Sequence, residues 1–240
     1  MEAIASKQGV ERWAECTPLH LLYIPLIKKL MPDALIVHII RDGRDVAASL
    51  HRMGWIRALP WDRSRDFLAR AIFWGYLVER GRRHAQALGP DYMEVHYEDL
   101  VRNPRQTLEC VGKFIEHDLD YHRIQQVALE TVRTPNSSFC GDSYETAANS
   151  IGRWRRIFTP SQIRDIEASI GHLLIDTGYP PESPAAELDP SLAVRSMTVL
   201  YPLCLDARLW LKSNTPLDRI ADRRIEGLAN CVDQRFQKPV

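Results

Sequence analysis

The sequence predicts an α/β domain built on a parallel sheet, and three observations support that prediction. Residues 34–40 (ALIVHII) are a short, largely β-branched apolar run of the length of a buried strand. Residues 92–96 (YMEVH) alternate in polarity and predict a second strand. Helical patterns lie before, between and after these runs, and strands that alternate with helices are typical of parallel sheets.

Each helix is predicted from its apolar spacing and from its start and stop residues. Asp42 is expected to cap a helix after the first strand, and Thr159 with Gln162 predicts a capping box. Further helices are predicted over residues 19–30, 66–87, 99–114, 121–131, 160–177, 192–211 and 216–236, with loops over 55–65 and 134–150. Residues 182–190 are rich in proline and alanine and predict a linker, which divides a domain of residues 1–181 from a helical tail of residues 182–240.

The composition is that of a globular protein and excludes several classes. Of 240 residues, 45% are hydrophobic and 26% are charged, with 31 basic and 31 acidic side chains. The resulting zero net charge argues against a nucleic-acid partner, which usually calls for a basic excess. Five scattered cysteines match no zinc spacing and predict reduced thiols, and hence a cytoplasmic protein without a structural metal. No apolar run reaches the roughly 20 residues of a membrane span.

The strongest local signal is the RDGRD segment between the first strand and the next helix. Arg41 is expected at the carboxyl end of the strand, where α/β sheets bind ligands, and Ser49 follows eight residues later. A guanidinium fork and a helix N-terminus both favour a phosphate. A surface cluster of Arg and Asp that merely caps the helix explains the same spacing equally well.

Two further segments carry candidate ligand-binding residues. Tyr97 follows the second strand and would share the sheet edge with Arg41 if the two strands are neighbours. It could stack on a base or simply be a core tyrosine. The segment SIGRWRR, which starts at Ser150, could clamp an anion or simply be a basic stretch before the Thr159 cap.

Taken in order, these segments resemble the sulfotransferase family, in the form of its bacterial and Golgi-type branches. The matching blocks are MPDALIVHIIRDGRDVAAS, VHYEDLVRNPRQTLECVGKFI and the stretch from Ser150 to Tyr179, so the resemblance covers residues 12–180. It implies a P-loop-like, three-layer parallel sheet with flanking helices. It also implies transfer of a sulfuryl group from 3'-phosphoadenosine 5'-phosphosulfate (PAPS) to an acceptor hydroxyl or amine, without a metal.

The resemblance also implies roles for individual residues. Arg41 and Ser49 would hold the 3'-phosphate, and Tyr97 would contact the adenine side. Ser150, Gly152 and Arg153 match the segment that closes over the same phosphate. His20 is the candidate catalytic base, with Glu15 just before the same Thr-Pro turn.

Two departures from the family pattern matter. The family begins with a strand and a PRSGTT-type loop that binds the 5'-phosphosulfate, and no such loop occurs in this sequence. Its Lys-Thr-Pro is replaced by Cys16-Thr17-Pro18, and a neutral thiol cannot stabilise the transferred group electrostatically. We therefore expect a fold whose first strand-loop unit is absent.

Three functions remain open at this point. The first is an active sulfotransferase, and the second is a catalytically silent module that binds 3'-phosphoadenosine 5'-phosphate (PAP) or a protein. The third is a nucleotide kinase of related fold, against which the lack of a GxxxxGK[ST] sequence counts. The acceptor is expected to be a small molecule or a carbohydrate, for which Trp55 and Trp61 could form a platform. The helical tail could pack on the sheet or form a homodimer contact, and no membrane partner is expected.

Overall fold

The computed structural model describes most of the chain, namely residues 7, 9, 12–54, 56, 65–131, 150–184 and 189–215. The helix predicted over 216–236 lies outside these residues, as do the two predicted loops apart from residues 56, 65 and 150. Trp55 and Trp61, the suggested acceptor platform, also lie outside the described residues.

The described chain consists of two strands, two 3-10 turns and nine helices. The strands are β1 (Ile36–Ile40) and β2 (Tyr92–His96). The 3-10 turns are Pro18–Leu22 and Gly89–Asp91. The helices are α1 (Ile24–Leu30), α2 (Gly43–Met53), α3 (Asp66–Leu88), α4 (Tyr97–Arg102), α5 (Pro104–Phe114), α6 (Tyr121–Thr131), α7 (Trp154–Ile157), α8 (Pro160–Asp176) and α9 (Leu192–Asn214).

The sheet is parallel, as predicted, and small. β1 and β2 pair in register from Ile36 opposite Tyr92 to Ile40 opposite His96, and the described residues contribute no third strand. On one face of β1, Ile40 is buried in the core, whereas Ile39 on the other face is 52% exposed. The fold is therefore α/β and mostly helical. The predicted three-layer, P-loop-like sheet is not confirmed, since a two-stranded sheet with an exposed Ile39 is not covered on both faces.

Helix α3 is the centre of the packing. It contacts α2, α8, α9 and the first 3-10 turn, and its buried side chains include Leu68, Ile72 and Trp74. Gly43, the first residue of α2, lies so close to α3 that an added Cβ would stand 2.5 Å from the Trp74 ring. Because no real Cβ fits at that distance, the start of α2 depends on this glycine.

Proline divides the helices predicted over 19–30 and 99–114, the second of which was predicted to be entered through Asn103-Pro104. The predicted helix over 19–30 is a 3-10 turn followed by α1, and Pro25 stands in the first turn of α1. The predicted helix over 99–114 is the pair α4 and α5, with Pro104 opening the second. Proline lacks the N–H of a helix interior and clashes with the preceding turn, so each helix has to start afresh.

The two predicted N-caps are confirmed. The Asp42 carboxylate accepts a hydrogen bond of 2.9 Å from the Arg44 N–H at the start of α2. At the start of α8, Thr159 Oγ1 accepts from the Gln162 N–H at 3.3 Å, while Gln162 Oε1 accepts from the Thr159 N–H at 2.9 Å. Local side-chain chemistry therefore fixes the starts of both helices that border the candidate site.

Helix α9 covers one side of α3 and is held there by polar as well as apolar contacts. Val194, Met197 and Tyr201 are buried in the core cluster. Asp206 accepts hydrogen bonds from Tyr76 Oη at 2.6 Å and from Arg80 Nη2 at 2.6 and 2.7 Å. None of the described helices is both long and apolar enough to cross a bilayer. The domain division at residue 181 stays a prediction.

A buried polar network joins the two strands to α3. His38 is 5% exposed, and its Nδ1 lies 2.5 Å from Tyr92 Oη. Tyr92 Oη donates to Glu94 Oε1 at 3.0 Å, and Arg82 donates to both Glu94 oxygens. The tyrosine has one proton and gives it to Glu94, so we assign the donating hydrogen of the short bond to His38 Nδ1. Burial, which outweighs the attraction of Glu94, lowers the pKa of His38 to about 4.

The lowered pKa of His38 predicts a loss of stability in mild acid. The unfolded chain binds a proton at His38 below about pH 6.5, whereas the folded protein resists it down to about pH 4. Folding stability is therefore expected to fall between pH 6.5 and pH 4, by up to about 3 kcal/mol from this group. Urea unfolding across that range measures it.

The matched variants are His38→Gln, which cannot titrate, and His122→Gln, which changes a histidine on the exposed side of α6. The first is expected to flatten the dependence of unfolding free energy on pH, and the second to leave it unchanged. An equal slope in all three proteins would contradict the prediction.

Candidate functional site

The carboxyl ends of β1 and β2 place two predicted site residues side by side. Ile40 is opposite His96 in the parallel register, so the residues that follow them, Arg41 and Tyr97, leave the sheet at the same edge. The Arg41 guanidinium carbon lies 4.6 Å from the centre of the Tyr97 ring. The prediction that Tyr97 shares the sheet edge with Arg41 is therefore confirmed.

Arg41 and Tyr97 both contact Ser150, which lies 109 residues after the first and 53 after the second. Arg41 Nη2 donates to the Ser150 carbonyl at 2.5 Å, and Tyr97 Oη shares a hydrogen bond of 2.8 Å with Ser150 Oγ. The Arg41 Nε is buried and has no hydrogen-bond partner among the described residues. A buried donor without a partner is costly, and an arginine in this state favours an anion nearby.

The carboxylate of Asp45 fixes the segment after Ser150 against the first turn of α2. Asp45 is 1% exposed and accepts from the Gly152 N–H at 2.7 Å and from the Trp154 N–H at 3.1 Å. Burial raises the pKa of Asp45, although these two hydrogen bonds and Arg41, whose Nη2 lies 4.0 Å away, oppose the shift. Both carboxylate oxygens are thus occupied by backbone donors.

The remaining predicted residues of the phosphate site lie around this segment. Gly152 has φ of +74°, a conformation that a residue with a Cβ adopts only with strain. Arg153 is 7% exposed and precedes the first turn of α7. Ser49 stands four residues after Asp45 in α2 and so lies on the same face of that helix, partly buried.

The second arginine of the RDGRD segment, Arg44, links the helices around the site through buried contacts. It is 3% exposed, donates to Asp42 at 2.9 Å and to Glu167 at 2.6 Å, and lies 4.2 Å from the Trp154 ring centre. Glu167 also accepts from the Glu182 and Ser183 N–H groups, each at 2.9 Å. This buried network, which we call the Arg44 knot, joins α2, α7, α8 and the chain after α8.

Glu98 of the YEDL segment is hydrogen-bonded to the turn that follows β1. It is 6% exposed, accepts from the Asp42 N–H at 3.2 Å and accepts a short hydrogen bond from Tyr179 Oη. Burial and the neighbouring carboxylate raise the pKa of Tyr179 well above its usual range, so the tyrosine stays a donor. All three family-like blocks are thus in contact at Glu98.

His20, the predicted base, lies in a separate cluster with Glu15. Its Nδ1 is 2.6 Å from Glu15 Oε2, and Thr17 Oγ1 donates to Glu15 Oε1 at 2.6 Å. Lys28, at the far end of α1, bonds the Ala34 carbonyl at 3.1 Å and Asp91 at 2.7 Å, near the amino ends of both strands. In the described chain His20 bonds Glu15, and it shares no hydrogen-bond partner with Arg41.

Four charged residues of the site, Arg44, Asp45, Glu98 and Glu167, were not predicted from the sequence. Their long-range partners could not be predicted from neighbouring residues: Glu98 bonds Asp42 from 56 positions away, Asp45 bonds Gly152 from 107 and Arg44 bonds Glu167 from 123. The sequence feature that could have indicated the network around Arg44 is Trp154, a large aromatic residue that stands between arginines. Among the described residues, no group of three or more His, Cys, Asp or Glu side chains is placed to hold a metal ion.

The role of Asp45 can be tested by removing its acceptor oxygens. Asp45→Ala leaves the Gly152 and Trp154 N–H groups without partners, and a buried unpaired donor costs about 1–3 kcal/mol. We expect a loss of about 2–4 kcal/mol in unfolding free energy, and a smaller loss in Asp45→Asn, which keeps one acceptor. Urea unfolding measures both.

Asp118→Ala is the control, because Asp118 is an exposed aspartate between α5 and α6. It is expected to change the unfolding free energy by less than about 0.5 kcal/mol. If Asp45→Ala were no more destabilising than Asp118→Ala, the proposed link between α2 and the 150–154 segment would be wrong.

Comparison with known families agrees with the geometry of this edge. A family model described as the sulfotransferase family matches residues 1–121, which is half of the chain. The match contains β1, the RDGRD turn, α2, β2 and Tyr97. It therefore includes Arg41 and the Glu15–His20 cluster, while Ser150, Gly152 and Arg153 lie beyond it. This chain belongs to the sulfotransferase family.

Proposed function

We propose that the chain binds PAPS at the carboxyl edge of β1 and β2 and transfers its sulfuryl group to a hydroxyl or amine. The observation that carries the proposal is Arg41, whose buried Nε lacks a partner at the edge where parallel sheets bind ligands. Family membership supports sulfuryl transfer in general. The donor, the acceptor and the role of each residue belong to the proposal.

The residues present fit the 3'-phosphate of such a nucleotide. A phosphate needs a cation, hydroxyl or N–H donors and few unpaired carboxylates nearby. Arg41 supplies the cation, and Ser150, Tyr97 and Ser49 supply hydroxyls. The two nearby carboxylates already have partners: Asp42 is paired with Arg44, and Asp45 accepts hydrogen bonds from two backbone N–H groups. Gly152 and Arg153 would close over the same group.

The bound nucleotide would supply the sulfuryl group, and the chain would supply position and charge. In the transfer, an acceptor oxygen or nitrogen bonds to sulfur while the bond from sulfur to the phosphate oxygen of PAP breaks, and the acceptor proton passes to a base. Arg41 would anchor the far end of the nucleotide. Its contribution is then to orient the reacting bond, since correct placement removes a large part of the barrier.

His20 is the proposed base, and Glu15 is its positioning residue. Glu15 fixes the imidazole through Nδ1, which leaves Nε2 as the nitrogen that can take a proton from an acceptor. Thr17 in turn fixes Glu15. The acceptor is proposed to be a small molecule or a carbohydrate.

A second function is favoured by Cys16. This exposed thiol stands where the family pattern has lysine, and it brings no positive charge to the transferred group. A module that binds PAP without transferring sulfate would need Arg41 but not a lysine at position 16. The two functions differ in turnover and agree on the nucleotide site.

The nucleotide site is tested by calorimetric titration of PAP and of adenosine 5'-phosphate, which lacks the 3'-phosphate. Arg41→Ala is expected to weaken PAP binding by about 1.5–3 kcal/mol, the range for hydrogen bonds to charged groups. It is expected to leave the weaker binding of adenosine 5'-phosphate nearly unchanged. A loss of affinity for PAP without a loss for adenosine 5'-phosphate is expected only if Arg41 binds the 3'-phosphate.

Arg83→Ala is the control, since Arg83 is an exposed arginine of α3 that pairs with Glu79. It is expected to bind PAP like the unmutated chain. The site assignment fails if the unmutated chain does not bind PAP, or if Arg41→Ala weakens both nucleotides equally.

The base is tested by release of PAP from PAPS in the presence of a panel of hydroxyl and amine acceptors. His20→Ala is expected to lower turnover about 10²–10⁴-fold, the usual range for a general base, with unchanged affinity for PAP. His117→Ala, which changes an exposed histidine after α5, is expected to retain full turnover. Full turnover in His20→Ala would exclude His20, and PAP binding without turnover on any acceptor would favour the silent module.

A further inference from the structure

Helix α9 is apolar on two opposite sides, and the described chain covers one of them. Val194, Met197 and Tyr201 face the core and are at most 5% exposed. The opposite side carries a continuous set of apolar or small side chains, which we call the outer stripe: Val199, Leu200, Leu203, Cys204, Ala207, Trp210 and Leu211. The large members are 43–62% exposed. A contiguous patch of this kind on a folded surface marks an interaction site.

The charges around the outer stripe do not oppose a protein contact. The side chain of Asp206, at the edge of the stripe, is 41% exposed, but its carboxylate is bonded to Tyr76 and Arg80. Arg195, one turn before the stripe, is paired with Asp189 at 2.5 Å. Arg208 lies on the exposed side of the helix beside the stripe. In the described part of the helix, the carboxylate that borders the stripe is therefore paired with a cation.

We propose that the outer stripe is the dimer interface of this protein, with a second copy of α9 packed antiparallel across a two-fold axis. An isologous interface requires a surface that complements itself. With the axis next to Cys204, Val199 meets Leu211 of the second copy, Leu200 meets Trp210, and Leu203 meets the small Ala207. Each large side chain then has a partner of suitable size, in both directions.

The apolar area of the outer stripe is close to that of a dimer interface of standard size. Its five large apolar side chains present roughly 500 Å² of apolar surface per copy. A dimer interface of standard size buries about 800 Å² per partner, of which somewhat more than half is apolar. One helix face therefore supplies about the apolar area that such a dimer needs. The proposal is independent of the proposed activity.

A membrane surface fits the same stripe less well. Helices that lie in a bilayer interface expose a strongly charged face rich in Lys and Arg opposite the apolar one. The face of α9 opposite the stripe is instead buried against α3, and Arg195 is neutralised by Asp189. The observations thus favour a protein partner, and self-complementarity favours a second copy.

Sedimentation of the full chain as a function of concentration tests the proposal. The unmutated chain is expected to be a dimer at micromolar concentration. Leu203→Asp, which puts a carboxylate into the apolar contact of both copies, is expected to raise the dissociation constant at least about 100-fold. Leu30→Asp, which changes a 70% exposed leucine of α1, is expected to remain dimeric.

Cys204 provides a second readout that does not depend on a disruptive variant. Mild oxidation with copper phenanthroline is expected to join the two Cys204 thiols in a covalent dimer, and Cys204→Ser is expected to abolish it even though Cys16 and Cys110 are exposed. Three results would overturn the proposal: a monomer at all concentrations, a dimer unaffected by Leu203→Asp, or a monomer that binds anionic vesicles through the stripe. A covalent dimer that forms to the same extent in Cys204→Ser, through any of the four other cysteines, would exclude Cys204 as the linked residue.

Discussion

The buried carboxylate of Asp45 joins the two parts of the candidate site, which are 107 residues apart in the sequence. One part is the turn after β1, whose position follows from the parallel pairing of β1 with β2. The other part, residues 150–154, has no strand to position it and depends on the two N–H groups that Asp45 accepts. The Asp45 bonds act together with those of Ser150 to Arg41 and Tyr97 and with the packing of Trp154 on Arg44.

The charges at this edge explain why Arg41 differs from its neighbour Arg44. The Arg44 knot balances one buried guanidinium with Asp42 and Glu167, and Trp154 packs against its plane. Arg41 has one carbonyl oxygen, an aromatic face and a carboxylate at 4.0 Å whose oxygens are already occupied. Among the described residues, two buried side-chain donors lack a hydrogen-bond partner, Arg41 Nε and Trp154 Nε1. Arg41 is the one of the two that carries a charge at the ligand-binding edge, which is the pattern of a site built to receive an anion.

Features set by neighbouring residues could be predicted from the sequence. The two strands, the Asp42 cap and the Thr159 capping box follow from short-range rules, and the parallel register then places Arg41 beside Tyr97. The break at Pro25 was not predicted, because the apolar pattern continues across it, and one helix was predicted over 99–114 although Pro104 begins a second one. The Arg44 knot could not be predicted from neighbouring residues, because Glu167 and Trp154 contact Arg44 only through the packing of α7 and α8 on α2. The roles of Ser49, Arg153 and His20 in binding or catalysis stay predictions.

The unpartnered Nε–H of Arg41 is proposed to donate a hydrogen bond to the 3'-phosphate of the nucleotide. Nuclear magnetic resonance of the arginine Nε–H groups observes this atom directly. The Arg41 signal is identified by its absence in Arg41→Lys. On addition of PAP it is expected to shift and to exchange more slowly with water, whereas adenosine 5'-phosphate is expected to leave it in place. If PAP bound while the Arg41 Nε–H stayed unchanged and another arginine responded, the nucleotide site would lie elsewhere on the protein.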